Sequence, residues 1–359
     1  METKISKVRL SQINMPRIDH SWKTAAYTGN AVEGFILEIE SNGIIGIGGT
    51  AAHPKVISSD DLETQLNGPV RHALQGADAL GGNKVRRALQ DAHVHPRASL
   101  AADLALHDLA GKLSNFPCYA LWGGASCLEV TVVRMVGIKP PDELVGAVRN
   151  IVEQGFMHLK VKIGTGIAED VERIQTLRKA FGHEIWIGVD GNGAYTKDQA
   201  IELSQNLEPY GVSLIEQPID ERDLEGLAKV TAASTIPIMA DQNVIDVKSA
   251  LTICQSSAAH LVSIKATKMG SLDECRRVFE VCQAFGIRVH IGGSAGPAVI
   301  DVAQAQLAAS MPGIDMECEI GESLALKDDP ISGVKFRNGR MELGTSPGWG
   351  IRYDRLTSE

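Results

Sequence analysis

Between residues 127 and 330 the chain alternates short apolar runs with amphipathic segments. The runs occupy 130–136, 159–163, 185–189, 212–215, 236–240, 261–264, 287–291 and 314–316. Each has the length of a buried strand, and each interval has room for a helix. The polar positions at the ends of these runs are Lys162, Asp190, Glu216, Asp241, Lys265 and a site near His290. They are separated by 28, 26, 25, 24 and 25 residues. One strand and one helical crossover per step make this a structural repeat. Eight such runs predict a parallel (β/α) barrel, whose active site lies at the C-terminal strand ends.

The first third reads differently. Residues 5–14 and 32–41 alternate apolar and polar, and Asn42-Gly43 turns the chain into 44–48 as a hairpin. An antiparallel sheet is expected there. Residues 15–30, with Trp22, Lys23 and Tyr27, form a polar loop long enough to act as a lid. From 59 to 113 the pattern is helical, and Leu100, Ala101, Leu104, Ala105 and Leu109 make one apolar face. His107 and Asp108 are read as helix packing and surface. Gly123-Gly124 marks the boundary to the barrel. A last hairpin around Asn338-Gly339 is expected to rejoin the N-terminal sheet. The domains are thus 1–125, completed by 331–359, and 126–330.

At 359 residues the chain can bury two cores. A net charge of −9 without a basic block excludes nucleic-acid and anionic-membrane surfaces. No apolar run reaches the roughly 18 residues of a membrane span. Glu2, Lys4, Lys7 and Arg9 occupy the place of a signal peptide's apolar block, so a cytoplasmic location is expected. The six cysteines form no CxxC pair and are expected to be reduced and mostly buried.

The chemistry centres on Lys160-Val161-Lys162. Strand side chains alternate, so both lysines face one way from a buried strand. A desolvated ammonium there loses its proton or finds an anion. Asp190, Glu216 and Asp241 each follow an apolar strand. Any one of them could cap a helix. Three on consecutive strands would repel one another, and a cation relieves that; hard oxygen donors without His or Cys suit Mg²⁺ or Mn²⁺. Lys265, on the sixth strand, faces Lys162 across the barrel mouth. Two ammonium groups on opposite faces of a substrate can remove a proton from carbon and return one. A proton α to a carboxylate fits, because a metal on that carboxylate neutralises the developing ene-diolate.

In order and at barrel spacing, several motifs together resemble the enolase superfamily, in its muconate-lactonizing-enzyme-like subgroup. They are the helix ending at Gly123-Gly124, Lys160-Val-Lys162, Asp190-Gly-Asn192, Glu216-Gln-Pro218, Ala240-Asp241, Ile264-Lys265, Lys327-Asp328-Asp329 and Pro347-Gly348-Trp349-Gly350. The resemblance implies an α/β protein, a TIM-like (β/α)7β barrel under an α+β capping domain formed by both chain ends. It implies Asp190, Glu216 and Asp241 as metal ligands, Lys162 and Lys265 as paired bases, and Lys160 as their electrostatic neighbour. The loop at 15–30, with Trp22 and Tyr27, and the one holding His53 match specificity loops, and Asn192 is a further candidate substrate contact. Relatives acting on dipeptides hold the substrate ammonium with an acidic pair at the eighth strand. Here the pair would read Asp315/Glu317 or Glu317/Glu319. The resemblance also shows departures: Gln242 stands where relatives often carry Glu, and His290 is read as structural.

The activity expected is Mg²⁺-dependent racemisation or epimerisation of an amino-acid-derived carboxylate. The alternative is a dehydratase or cycloisomerase that expels a β-leaving group from the same enolate, for instance on a hydroxyproline-like acid. A Schiff-base lysine at position 265 would leave the three carboxylates unexplained, and a non-catalytic barrel would leave the whole set without a use. The partner expected is a small-molecule carboxylate, and a homo-oligomer is expected by symmetry.

Overall fold

The computed structural model describes residues 3–314 and 317–354. Strands β1 (Lys7–Pro16), β2 (Ala31–Ser41) and β3 (Ile44–Ala51) form an antiparallel sheet. Asn42 and Gly43 both take positive φ, 52° and 77°, as the tight two-residue hairpin requires. Four α-helices follow, Ser59–Gln65, Arg71–Leu74, Gly82–Asp91 and Pro96–Ser114. The last starts on a proline and ends on left-handed Asn115.

That helix lies directly on β3. A Cβ at Gly46 would meet the Ala105 carbonyl oxygen at 2.4 Å, and one at Gly48 would meet that of Ala101 at 2.0 Å. Both glycines are two apart and so share a face; the contact is backbone against backbone.

The second part is a parallel sheet in the order of the chain. Its strands are β5 (Val133–Val136), β6 (His158–Lys162), β7 (Trp186–Asp190), β8 (Leu214–Glu216), β9 (Ile238–Ala240), β10 (Leu261–Ile264) and β11 (Arg288–Ile291). The run at 130–136 is split. Its first half, β4 (Glu129–Thr131), pairs with the C-terminal hairpin and only its second half enters the barrel.

The eighth run falls elsewhere than expected. Ile314 is not in a strand, and Asp315 and Met316 lie outside the described residues. Closure comes at Cys318, which bridges Val132, while the Glu319 amide donates to the Ile291 carbonyl at 2.8 Å. One short extended segment serves both edges, so it carries no long apolar run.

The C-terminal segment also departs from expectation. The hairpin of β13 (Lys335–Arg337) and β14 (Arg340–Glu342) pairs with β4, not with the N-terminal sheet, and β12 (Ile331–Ser332) pairs with β15 (Arg352–Tyr353). The tie to the first part is made by Asp108, which is fully buried instead of at the surface. It accepts the backbone N–H groups of Ile47 and Trp349, each at 2.8 Å, and the Lys112 ammonium at 2.6 Å. Trp349 Nε1 donates to the Leu104 carbonyl. None of the six cysteines forms a disulfide, and five are buried. Among the described residues no helix is long and apolar enough to cross a membrane.

Two outcomes are expected. Gly48→Ala forces the Pro96–Ser114 helix off the sheet and costs about 3 kcal/mol in urea unfolding; an unchanged midpoint would contradict the contact. Asp301, fully buried in the helix Ala298–Ala309, is pushed up to about 7 by burial, with Glu322 adding to the effect and the Ser323 N–H opposing it. The folded state therefore holds a proton that the unfolded chain releases near its ordinary value, so stability falls as pH rises from about 4 to about 7. Asp301→Asn keeps a carbonyl acceptor for Ser323 and removes that contribution; identical pH profiles of wild type and variant would refute it.

Candidate active site

Strand register gathers the predicted residues. Lys162 pairs with Asp190 and Asp190 with Glu216, so the three stand abreast at the C-terminal ends of β6, β7 and β8. Asp241 follows β9 and Lys265 follows β10. Leu159, Val161 and Ile163 point the other way and are fully buried in the main core. The alternation that puts apolar groups against the helices leaves the lysines facing the barrel interior.

The interior is a lattice of opposite charges. Lys160 Nζ lies 2.5 Å from Glu319 Oε1, 2.8 Å from Glu216 Oε2 and 3.6 Å from Asp190 Oδ2. Lys162 donates to Asp190 at 2.5 Å. Lys265 donates to Asp241 at 2.8 Å and Lys268 to the same carboxylate at 2.7 Å.

These neighbours set the protonation. Burial alone would push Asp241 up, but Lys265 and Lys268 outweigh it and hold the carboxyl well below its ordinary range. Burial likewise opposes the charge of Lys160, and Glu216, Glu319 and Asp190 overcome it and raise the ammonium well above its usual value. Lys265 is raised in the same way against burial, chiefly by Asp241 and Glu216. Glu216 goes the other way. Burial, with Asp190 and Glu319 nearby, pushes it up to about 8 despite Lys160.

The loops that follow the strands brace the acids. Asn192, at a φ of 47°, donates its backbone N–H to Asp190 Oδ1. Gln217 accepts the N–H groups of Asp241 and Gln242 on its side-chain oxygen, at 2.9 and 3.0 Å. Glu319 is fixed by His290 Nε2 at 2.9 Å and by the Gly293 N–H at 2.9 Å. His290 is buried and serves as that anchor.

As arranged, each acid turns to a lysine, and among the described residues no three His, Cys, Asp or Glu side chains are gathered as a ready cage for a metal ion. The donor chemistry nevertheless fits a hard divalent cation. Glu216 Oε1, Asn192 Oδ1 and Gln242 Oε1 are buried oxygens without a hydrogen-bond partner, beside Asp190 and Asp241. Asp190, Glu216 and Asp241 are the residues that could hold it.

A cavity of about 870 Å³ opens above these groups. Lys162, Lys265, Asp241 and Asn192 line its barrel side, and Trp22 and Tyr27 its cap side. Lys160 lies beneath. Glu317 does not line the cavity: it sits 3.5 Å from His158, which opens β6, at the opposite end of the barrel. Asp315 lies outside the described residues, and Glu319 is engaged by Lys160. The expected ammonium-binding acid pair is therefore not assembled. Sequence reasoning passed over Lys268, Arg17 and Arg97, which also line the cavity. A signal existed for Arg97, a charged residue directly before the largely apolar run 98–102 at the start of its helix.

Comparison with known proteins agrees with this geometry. Residues 8–123 match the mandelate racemase/muconate lactonizing enzyme N-terminal domain, and residues 143–357 match the enolase C-terminal domain-like model. The chain is 30% identical to the hydrophobic dipeptide epimerase of Enterococcus faecalis, covering 98% of this chain and 100% of that one. It is 29% identical to the L-Ala-D/L-Glu epimerase of Bacillus subtilis, covering 97% and 96%. The crystal structure of the dipeptide epimerase from Enterococcus faecalis V583, complexed with Mg and the dipeptide L-Leu-L-Tyr, superposes with a TM-score of 0.93 at 28% identity, covering 98% of this chain and 100% of that one.

The central lysine carries a stability prediction of its own. Lys160→Met leaves Glu216 and Glu319 buried without their shared partner, and the variant is expected to unfold about 3 kcal/mol more easily than wild type. Equal stability in urea would show that the two acids do not depend on Lys160.

Proposed function

Because the chain belongs to the enolase superfamily, in its muconate-lactonizing-enzyme-like subgroup, we propose that it epimerises or racemises an amino-acid-derived carboxylate with Mg²⁺, using Lys162 and Lys265 as opposed bases. The observation that supports this reading most directly is placement. The two lysines reach one cavity from β6 and from the end of β10, with the ends of β7, β8 and β9 and their three carboxylates between them. The site of the Enterococcus faecalis relative, which takes Mg and a dipeptide, sits on the same fold.

Asp190, Glu216 and Asp241 would hold the ion. When bound, it neutralises the substrate carboxylate and so stabilises the enolate that forms when the α-proton leaves. Lys162 meets that α-carbon from one side and Lys265 from the other. A lysine that has lost its proton accepts the α-proton, and the protonated lysine opposite delivers one to the other face, so configuration inverts and nothing is expelled. Lys160 stays charged beneath them, keeps Glu216 and Glu319 in place and adds positive potential under the developing enolate. Lys268 shares Asp241 with Lys265 and keeps that carboxylate ionised.

Proton exchange in D₂O tests the assignment. Wild type with Mg²⁺ is expected to place deuterium on the α-carbon of a dipeptide or N-acylamino acid without losing any substrate heavy atom, and EDTA is expected to stop it. Lys162→Ala and Lys265→Ala should each lower epimerisation by about 10³-fold, each retaining exchange with one epimer only. Release of water, or substrate trapped on Lys265 by borohydride in the presence of EDTA, would overturn the reading.

A further inference from the structure

The cap side of the cavity holds two guanidinium groups that the proton transfer does not use. Arg17, just past β1, is 3% exposed, and its Nε and Nη1 are buried without any acceptor. Its guanidinium lies over the Trp22 ring at 4.8 Å, and the Trp22 indole N–H is also buried without a partner. Arg97, in the first turn of the helix Pro96–Ser114, is 6% exposed, and among the described residues its guanidinium donates one hydrogen bond, from Nη1 to the Ala51 carbonyl at 2.9 Å. Among the described residues neither guanidinium forms an ion pair with a carboxylate.

All three side chains line the cavity. His53, on the same wall, supplies no countercharge: an imidazole is neutral or cationic, and burial and then Arg97, Lys265 and Arg17 hold this one down at about 4, in its neutral form. The carboxylates on the cavity wall are Asp241, already shared by two lysines, and Glu33, which is exposed at the rim. Glu322, the buried acid nearest in effect to Arg17, is itself pushed up by burial and by Glu319, and Arg134 is the larger of the cations acting on it.

A buried cation with idle donors is costly unless something anionic arrives. An arginine stacked on an indole is already oriented for a planar, bidentate acceptor.

We propose that Arg17, with Arg97 and the Trp22 indole N–H, binds a second anionic group of the substrate, distal to the carboxylate whose α-proton is moved. This rests on the epimerase reading and narrows it to doubly anionic substrates. A carboxylate presented to the cap could belong to the side chain of a dipeptide's second residue or to a dicarboxylic N-acyl group; both offer the same acceptor to Arg17. The eighth-strand acids favour neither source, because Glu319 is engaged inside the barrel and Glu317 lies at its far end.

Matched pairs of compounds read this out. L-Ala-L-Glu against L-Ala-L-Gln, and N-succinyl-L-alanine against its terminal amide, N-succinamoyl-L-alanine, change the distal charge with little change in shape. Binding to the Mg²⁺-loaded protein is followed by calorimetry and α-proton exchange by NMR in D₂O. The anionic member of at least one pair is expected to bind at least 30-fold more tightly, about 2 kcal/mol, and which pair responds identifies the source. Arg17→Met should collapse that ratio, mainly through KM, and Arg17→Lys should restore part of it. Arg97→Met should reduce it as well, which keeps the test valid if Arg17→Met fails to fold. Equal binding within both pairs, binding of none of the four, or a ratio that survives both substitutions overturns the proposal, even where exchange with the neutral members upholds the epimerase reading. Charge-selective, Arg17-dependent binding without exchange would instead uphold the anion site and sink the epimerase.

Discussion

Four carboxylates and four lysines share the mouth of this barrel, and neither set could stay there without the other. Asp190, Glu216, Asp241 and Glu319 are all buried, and the energetic cost of ionising them together in a poorly solvated space would be prohibitive. Lys160, Lys162, Lys265 and Lys268 supply the opposite charge within hydrogen-bonding distance. The balance is uneven in a useful way. Lys160 touches three acids from below and is locked, whereas Lys162 and Lys265 each hold one short contact at the cavity surface. Glu216, pushed up by burial, is the acid least content with the arrangement, and its Oε1 accepts no hydrogen bond, the Lys265 ammonium standing 3.6 Å away. Asp190, Glu216 and Asp241 would hold a hard divalent cation at such a cluster, and its charge would favour the ionised form of Glu216.

The cap side of the cavity depends on a different constraint. The backbone of β3 meets the backbone of the helix Pro96–Ser114 at Gly46 and Gly48, and Asp108 on that helix binds both β3 and the C-terminal segment at Trp349. These contacts set the height of the helix start, and with it the position of Arg97. Arg17 is placed from the other side, by the end of β1 and by a backbone bridge to Leu326. The two guanidinium groups thus come from elements of the cap side, while Lys162 and Lys265 come from the strands of the barrel. Each can change without rebuilding the other, which is the arrangement a family needs to keep one proton transfer and vary its substrate.

Much of the barrel was legible because its signals are local. An apolar run followed by a charged residue, repeated at a nearly fixed interval, specifies a strand, its face and its end, and Lys162, Asp190, Glu216, Asp241 and Lys265 all fell where that reading puts them. The errors arose where the determining contact was remote in sequence. The closing segment at Cys318 has two neighbours and needs no long apolar run, so the more apolar stretch just before it drew the assignment. The last hairpin pairs with β4 because the run at 130–136 divides between two sheets, a division its composition does not announce. Glu317 and Glu319 are two apart on an extended chain, yet one meets His158 at the base and the other Lys160 inside. Asp108 looked like a surface residue because nothing nearby in sequence reveals that Ile47 and Trp349 converge on it.

The two surface lysines are not equivalent, and the difference bears on direction. Lys265 shares Asp241 with Lys268, so its partner remains ionised even when Lys265 loses its proton. Lys162 faces Asp190, which also accepts both the backbone and the side-chain N–H of Asn192 and draws further charge from Lys160. Asp190 therefore has more donors to fall back on than Asp241 has. A carboxylate held by several N–H donors keeps its place when its lysine turns to another partner, whereas one held by two ammonium groups depends on the second of them. In the proposed inversion, two such unlike lysines would divide kcat and KM differently between the two epimers, while the ratio of the two kcat/KM values is fixed by the equilibrium between them, a property of the substrate and not of the protein. The asymmetry lies in which strands carry the second lysine and the asparagine, and so it is written into the barrel and not into the cap.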